Sequence, residues 1–222
     1  MNVWERDPNR VKCFFMDPSG DVHIETYRCT SYASKIKCEM STYGGGHWAH
    51  LPFGIGKELD DKGHQVSAGY LTREKADSTY GLDKFPTECQ CGYKFTDADE
   101  FGHRRIPIYQ RRDDPSVRYT LQEAPDGAMY YATWYEKHRD WCGLDGHALM
   151  VKAPGGHDWH VDGRCSNCTR PEDKVHKCWC RHGDPETGDV TVNKVGDTCS
   201  AGAGSLLLKN WHGFLTSGWL HT

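Results

Sequence analysis

Apolar positions in this chain recur mostly at period two and in short runs, the signature of half-buried strands. Val11-Lys12-Cys13-Phe14-Phe15 and Val22-His23-Ile24-Glu25-Thr26-Tyr27 flank Asp17-Pro18-Ser19-Gly20-Asp21. The middle stretch is built of turn residues, so the three together predict a β-hairpin. Ala148-Leu149-Met150-Val151-Lys152 and Trp159-His160-Val161 flank Pro154-Gly155-Gly156 and predict a second. Ser205-Leu206-Leu207-Leu208, Gly213-Phe214-Leu215 and Gly218-Trp219-Leu220 continue the same style. Helical spacing is rarer. Ala128, Tyr131, Ala132 and Tyr135 fit one helical face after Pro125-Asp126-Gly127. Lys137, His138 and Arg139 would end that helix with the charge its dipole favours. A short helix is expected from Leu71 to Ser78, and Thr96-Asp97-Ala98-Asp99 has the form of a capping box at a helix start. Residues 40–70 are Gly-rich and irregular around Gly44-Gly45-Gly46-His47.

This pattern predicts an α+β protein of small antiparallel sheets with one or two helices, clipped by zinc sites. It divides into a β-rich zinc-knuckle region, 1–102, and an α+β region with a Cys/His metal site, 103–222. The need for clips follows from composition. Only 37% of the 222 residues are hydrophobic, and 24 Gly and 10 Pro break the chain into short elements. Ordering each residue costs about 1–2 kcal/mol, so a chain this lean requires disulfides or metals besides apolar burial.

Eleven cysteines cannot all pair internally, and the polar start MNVWERDPNR lacks the apolar stretch of a secretion signal. Metal ligation is therefore expected ahead of disulfides. Cys89-Gln90-Cys91-Gly92-Tyr93 is a tight knuckle, whose glycine lets the backbone turn its amides toward the thiolates. Cys165-Ser166-Asn167-Cys168 and Cys178-Trp179-Cys180 follow, the latter flanked by His176 and His182, with Cys199 and His212 beyond. Zn2+ takes thiolate and imidazole ligands four at a time in structural sites. The N-terminal site is expected to join Cys89 and Cys91 to Cys29 and Cys38, with His47 and His50 as alternates. The C-terminal site is expected to use Cys168, Cys178, Cys199 and His212, with Cys165, His176 and Cys180 as substitutes. Cys13 and Cys142 are expected in the core as small hydrophobes.

Other chemistry finds little support. A net charge of −4 gives no general attraction to nucleic acid or membranes, and no apolar run approaches the roughly 20 residues that span a bilayer. The chain is expected to be neither secreted nor transmembrane. His-Glu-x-x-His, P-loop, dinucleotide and Gly-x-Ser-x-Gly motifs are absent. His23-Ile24-Glu25 has half of a zinc deaminase signature without its cysteine half. A zinc-dependent, nuclease-like enzyme is the alternative reading. It rests on His157 and His160, just before Cys165 and Cys168, and on a basic strip over residues 103–118 that Asp113 and Asp114 interrupt. Sites dominated by thiolates are usually closed, which favours a non-enzymatic protein. Eight Trp and eleven Tyr suit contact with a protein partner.

From about residue 88 to 220 the chain also resembles a family of proteins encoded by tailed bacteriophages. The resemblance is carried by Glu88-Cys89-Gln90-Cys91-Gly92-Tyr93-Lys94-Phe95-Thr96, Ala124-Pro125-Asp126-Gly127-Ala128-Met129 and Asn167-Cys168-Thr169-Arg170-Pro171. It continues through His176-Lys177-Cys178-Trp179-Cys180-Arg181-His182-Gly183, Thr198-Cys199-Ser200-Ala201-Gly202-Ala203-Gly204-Ser205 and His212-Gly213-Phe214-Leu215. The family pattern does not include Cys165, and a non-Cys residue commonly stands at the place of Cys180. The resemblance thus implies Cys168, Cys178, Cys199 and His212 as the ligand set. It further implies a phage origin and no particular activity; on that origin the protein is expected in the virion or the host cytoplasm, with a viral or host protein as partner.

Overall fold

The computed structural model describes residues 3–30, 37–39, 46–51, 69–201, 204–208 and 211–222. In chain order the strands are β1 (Val11–Lys12), β2 (Phe14–Cys29), β3 (Trp48–His50), β4 (Gly69–Leu71), β5 (Glu100–Arg111), β6 (Arg118–Thr120), β7 (Ala128–Tyr131) and β8 (Leu149–Ala153). They continue as β9 (His157–His160), β10 (Cys180–Asp184), β11 (Asp189–Asn193), β12 (Leu206–Leu208), β13 (Trp211–Thr216) and β14 (Trp219–His221). The α-helix among the described residues is α1 (Arg73–Tyr80). The protein is α+β, with small sheets and this helix. Most of the Gly-rich stretch 40–70 lies outside the described residues.

The chain forms two compact units, one of residues 20–108 and one of residues 1–19 with 109–222. The N-terminal 19 residues belong to the same unit as residues 109–222. Burial explains this. Cys13 and Phe15 sit in a hydrophobic cluster with Met129, Leu149, Val151 and Leu220, all from the far end of the chain.

Three of the expected elements differ. Residues 11–27 do not form a hairpin, since β2 runs unbroken from Phe14 to Cys29. Asp17 does not use its carboxylate to fix a turn. It accepts from Nε and Nη2 of Arg112 at 2.8 and 2.6 Å, and Gly20, at φ 83°, absorbs the local irregularity within the strand. The expected helix from residue 128 is strand β7, followed by a single 3-10 turn over Thr133–Tyr135. β7 pairs in parallel with β2 and antiparallel with β8. Met129 packs into one cluster while Ala128 and Tyr130 pack into another. A strand buried on both faces shows continuous apolarity, which imitates helical spacing. At Thr96 the capping hydrogen bonds form, with the Thr96 amide donating to Asp99 Oδ2 at 2.5 Å, yet β5 follows in place of a helix. Pro107 lies seven residues into that segment and bars a helix interior there.

The hairpin of β8 and β9 forms around residues 154–156 as expected, and the tail supplies β12, β13 and β14. In the unit of residues 1–19 and 109–222, the tail strands make a sheet of order β1-β14-β13-β12, beside the two-stranded β10–β11 hairpin. In the unit of residues 20–108, α1 is capped by the Thr72 hydroxyl, which accepts from the Lys75 amide. The helix buries Ala76 and Tyr80 against Phe85 and Phe101. Among the described residues no helix is long and apolar enough to cross a membrane.

Candidate metal centres

Each unit gathers three cysteines and one histidine whose ligand atoms all lie within 4.8 Å of one another: Cys38, His47, Cys89 and Cys91 in one, Cys168, His176, Cys178 and Cys199 in the other. Such sets could each hold a metal ion.

The first set rests on the knuckle. The Cys89 amide donates to the Tyr93 carbonyl and the Gly92 amide to the Cys89 carbonyl, both at 2.8 Å. Gly92 takes φ 89°, in the left-handed region that side chains resist. A bridge between Glu88 and Lys94 closes the loop behind them. Cys38 Sγ lies 3.9 Å from Cys89 Sγ, and His47 Nδ1 lies 3.0 Å from Cys91 Sγ. His47 is placed from two sides. Its amide donates to Thr30 Oγ1 at 3.0 Å and its carbonyl accepts from the Thr30 amide at 3.1 Å. Its ring stacks on Tyr93 at 4.1 Å and 5°. Desolvation opposes ionisation of Cys89, but the amides of Cys91 and Trp48 and the His47 ring outweigh it and bring the thiol down to about 6.

The second set is built from three loops. Cys168 Sγ lies 3.3 Å from His176 Nε2. His176 Nδ1–H donates to the Asp173 carbonyl at 2.6 Å, which fixes the tautomer and leaves the Nε2 lone pair facing the thiols. Its side chain is fully buried. The Arg170 amide donates to Cys168 Sγ and the Cys165 amide to Cys178 Sγ, each at 3.4 Å. Lys194 Nζ ties the carbonyls of Cys178 and Ala201 together at 2.5 and 2.9 Å. Cys199 is held down to about 6, because the amides of Thr169 and Ala201 and the neighbouring thiols overcome its desolvation. Burial pushes Cys178 in the opposite direction. Two backbone amides aimed at sulfur and a histidine with its second nitrogen already engaged are what a metal–thiolate site requires, so the residues present fit a bound ion.

Six of the eight residues expected from sequence are brought together in these two sets. Cys29 is not among them. It lies in β2 opposite Trp48, and desolvation raises its thiol to about 11. His47, an alternate in the sequence reading, holds that place. His212 is also elsewhere: it is exposed on β13, and its Nε2 pairs with Ser205 Oγ at 2.9 Å. Strand alternation turns Gly213 and Leu215 inward and His212 out. His176 holds its place. It is a substitute in the sequence reading, and the turn from Asp173 that places it is not visible in the spacing. Cys13 and Cys142 lie in hydrophobic clusters. The side chain of His50 lies outside the described residues.

His157 and His160 both fall on β9, three residues apart, so their side chains leave opposite faces of the strand. They do not converge on one ion, and His160 Nε2–H donates to the Trp141 carbonyl at 2.8 Å. In the basic strip Arg104, Arg111 and Arg112 each face a carboxylate, of Glu25, Asp113 and Asp17 respectively.

No family model, no curated protein and no solved structure matches this chain.

Proposed function

We propose that this chain is a zinc-stabilised structural or protein-binding protein of a tailed bacteriophage, acting as a virion component or as an accessory factor on a host protein. The observation that carries the reading is the pair of Cys3His sets, each with four donor atoms within 4.8 Å. Three thiolates and an imidazole form a donor set that zinc takes tetrahedrally in structural sites. Four protein ligands would leave no open position for a water molecule, so an ion held at either set would not be placed to activate one. The residues supply ligands, orient them through Asp173, Thr30 and Tyr93, and offset thiolate charge with backbone amides. The metal would supply folding free energy, typically about 10–16 kcal/mol for a structural zinc. That is what a chain with so few aliphatics needs. The phage origin rests on the sequence resemblance over residues 88–220, and the protein-binding role on the wealth of Trp and Tyr.

Elemental analysis of purified protein by plasma mass spectrometry is expected to find two zinc ions per chain. A metal-free, folded protein would overturn the reading. Mass spectrometry of purified particles separates the two roles: the chain is present in particles if it is a virion component and absent if it is an accessory factor. Zinc-dependent cleavage of DNA or RNA by the purified chain would replace the reading with the enzymatic one.

A further inference from the structure

A cleft of about 790 Å³ opens in the unit of residues 1–19 and 109–222, away from the interior of its metal centre. Two of its walls are sheet ends. β9 is the last strand of the sheet running β2-β7-β8-β9, and β12 is the last strand of the tail sheet. Residues 158–160 of β9 and 206–208 of β12 line the same cleft. Among the described residues each of these strands pairs on one side only, so each turns a row of backbone donors and acceptors outward. In β9 the phase is fixed by the Val161 amide, which donates to the Leu149 carbonyl at 2.9 Å. Alternation then points the backbone groups of Trp159 toward β8 and those of Asp158 and His160 away from it, where the His160 carbonyl already accepts from the Gly163 amide at 3.2 Å.

Tyr135, Trp141, Trp159 and Trp179 give the cleft aromatic surface, beside polar groups such as Ser166, Asn167 and Ser205. Charge narrows the occupant. Arg164 is the cation lining the cleft, and its guanidinium is already bound to the carbonyls of Arg170, Pro171 and Asp173. The Asp158 carboxylate pairs with Lys152 at 2.9 Å. Among the described residues a polyanion such as single-stranded nucleic acid would find one lining cation, Arg164, whose donors are already engaged. An uncharged extended backbone finds the Asp158 amide and carbonyl and the His160 amide turned outward on the β9 wall, and aromatic surface for its side chains.

We propose that this cleft binds an extended peptide segment of a partner protein by strand addition, with an apolar or aromatic side chain seated among Trp141, Trp159 and Trp179. The proposal rests on the protein-binding reading above and names its site. The metal centre frames the cleft. Ser166 and Asn167 lie between Cys165 and Cys168, Trp179 follows Cys178, and Ala201 follows Cys199 by two residues; all four line it. Loss of the ion would release three segments of wall at once.

The test uses full-length protein whose zinc content is measured on the same batch. An mRNA-displayed library of random decapeptides is selected on it, and enriched peptides are resynthesised with a fluorophore for anisotropy titration. Enriched peptides are expected to carry apolar or aromatic residues at alternate positions. Trp141→Ala and Leu207→Asp are each expected to weaken binding by about tenfold or more, with zinc content and circular dichroism unchanged. Leu207 is 76% exposed, so the second variant keeps the fold even if the first does not. N-methylation of alternate peptide amides should weaken binding to a similar degree. The proposal is overturned if nothing is enriched, if both variants bind like the wild type, or if N-methylation is tolerated throughout. Equal binding of oligothymidylate or of a linear oligosaccharide would overturn it as well. Peptide binding by a zinc-free batch would sink the metal reading and leave the cleft standing. Zinc-loaded protein that selects no peptide would do the reverse.

Discussion

His176 and His212 stand on either side of the last cysteine in sequence, and their second contacts separate them. His176 gives Nδ1–H to a backbone carbonyl and turns Nε2 to Cys168, whereas His212 spends Nε2 on Ser205 from an exposed strand position. His176→Ala should therefore reduce bound zinc from two ions per chain to one. The loss in affinity should exceed the roughly 10–100-fold typical of changing a residue behind a ligand. His212→Ala should leave both ions in place. The same contrast applies in the other unit, where His47→Ala should cost one ion and Cys29→Ser none. Metal titration against a chromogenic chelator reads all four variants. A different residue-scale test concerns Arg181, whose side chain is 10% exposed and donates from Nε to the buried Asp162 carboxylate at 2.9 Å. Arg181→Ala would strand that carboxylate and should destabilise by about 3–5 kcal/mol in urea unfolding at saturating zinc.

At the scale of elements, the central strands and the tight turns carry the predictions. β8 is buried along its whole length, and Leu149 is fully enclosed beside Met129 and Val161. Leu149→Ala should cost about 2–5 kcal/mol by the same measurement. The turn between β13 and β14 holds Ser217 at φ 46° and Gly218 at φ 73°, with Thr216 opposite Trp219, which is the two-residue turn that suits strand twist. A Cβ on Gly218 would sit 1.9 Å from the Gly188 carbonyl oxygen. Gly218→Ala should thus lose more than the roughly 1–3 kcal/mol of backbone strain alone, seen as a fall in melting temperature. The β8–β9 hairpin read correctly from sequence although β8 is covered on both faces, because Gly155 and Gly156 mark a local turn between its strands. β7 read wrongly because both of its faces are covered, so its pattern held no period to measure. β2 read wrongly because a distant arginine, Arg112, takes the aspartate that would have fixed the turn.

For the whole molecule, each compact unit holds its own Cys3His set. Removing one set should loosen that unit before the other. Hydrogen exchange read by mass spectrometry should rise over residues 20–108 in His47→Ala, and over 1–19 with 109–222 in His176→Ala. Full chelation should raise it in both. Exchange that rises uniformly in either variant would show that the two sets do not stabilise their units separately. The amino-acid sequence by itself determined which donor atoms the chain can offer a metal ion, because residue type dictates them. It also placed the knuckle at Cys89 and Cys91, since that loop is closed by neighbours in sequence. Only the tertiary structure decided which histidine completes each set, because His47 is held by Thr30 and Tyr93 and His176 by a turn whose direction no spacing reveals. The meeting of two sheet ends in one cleft belongs to the same class. It depends on strand order, which arises from contacts between residues far apart in the chain.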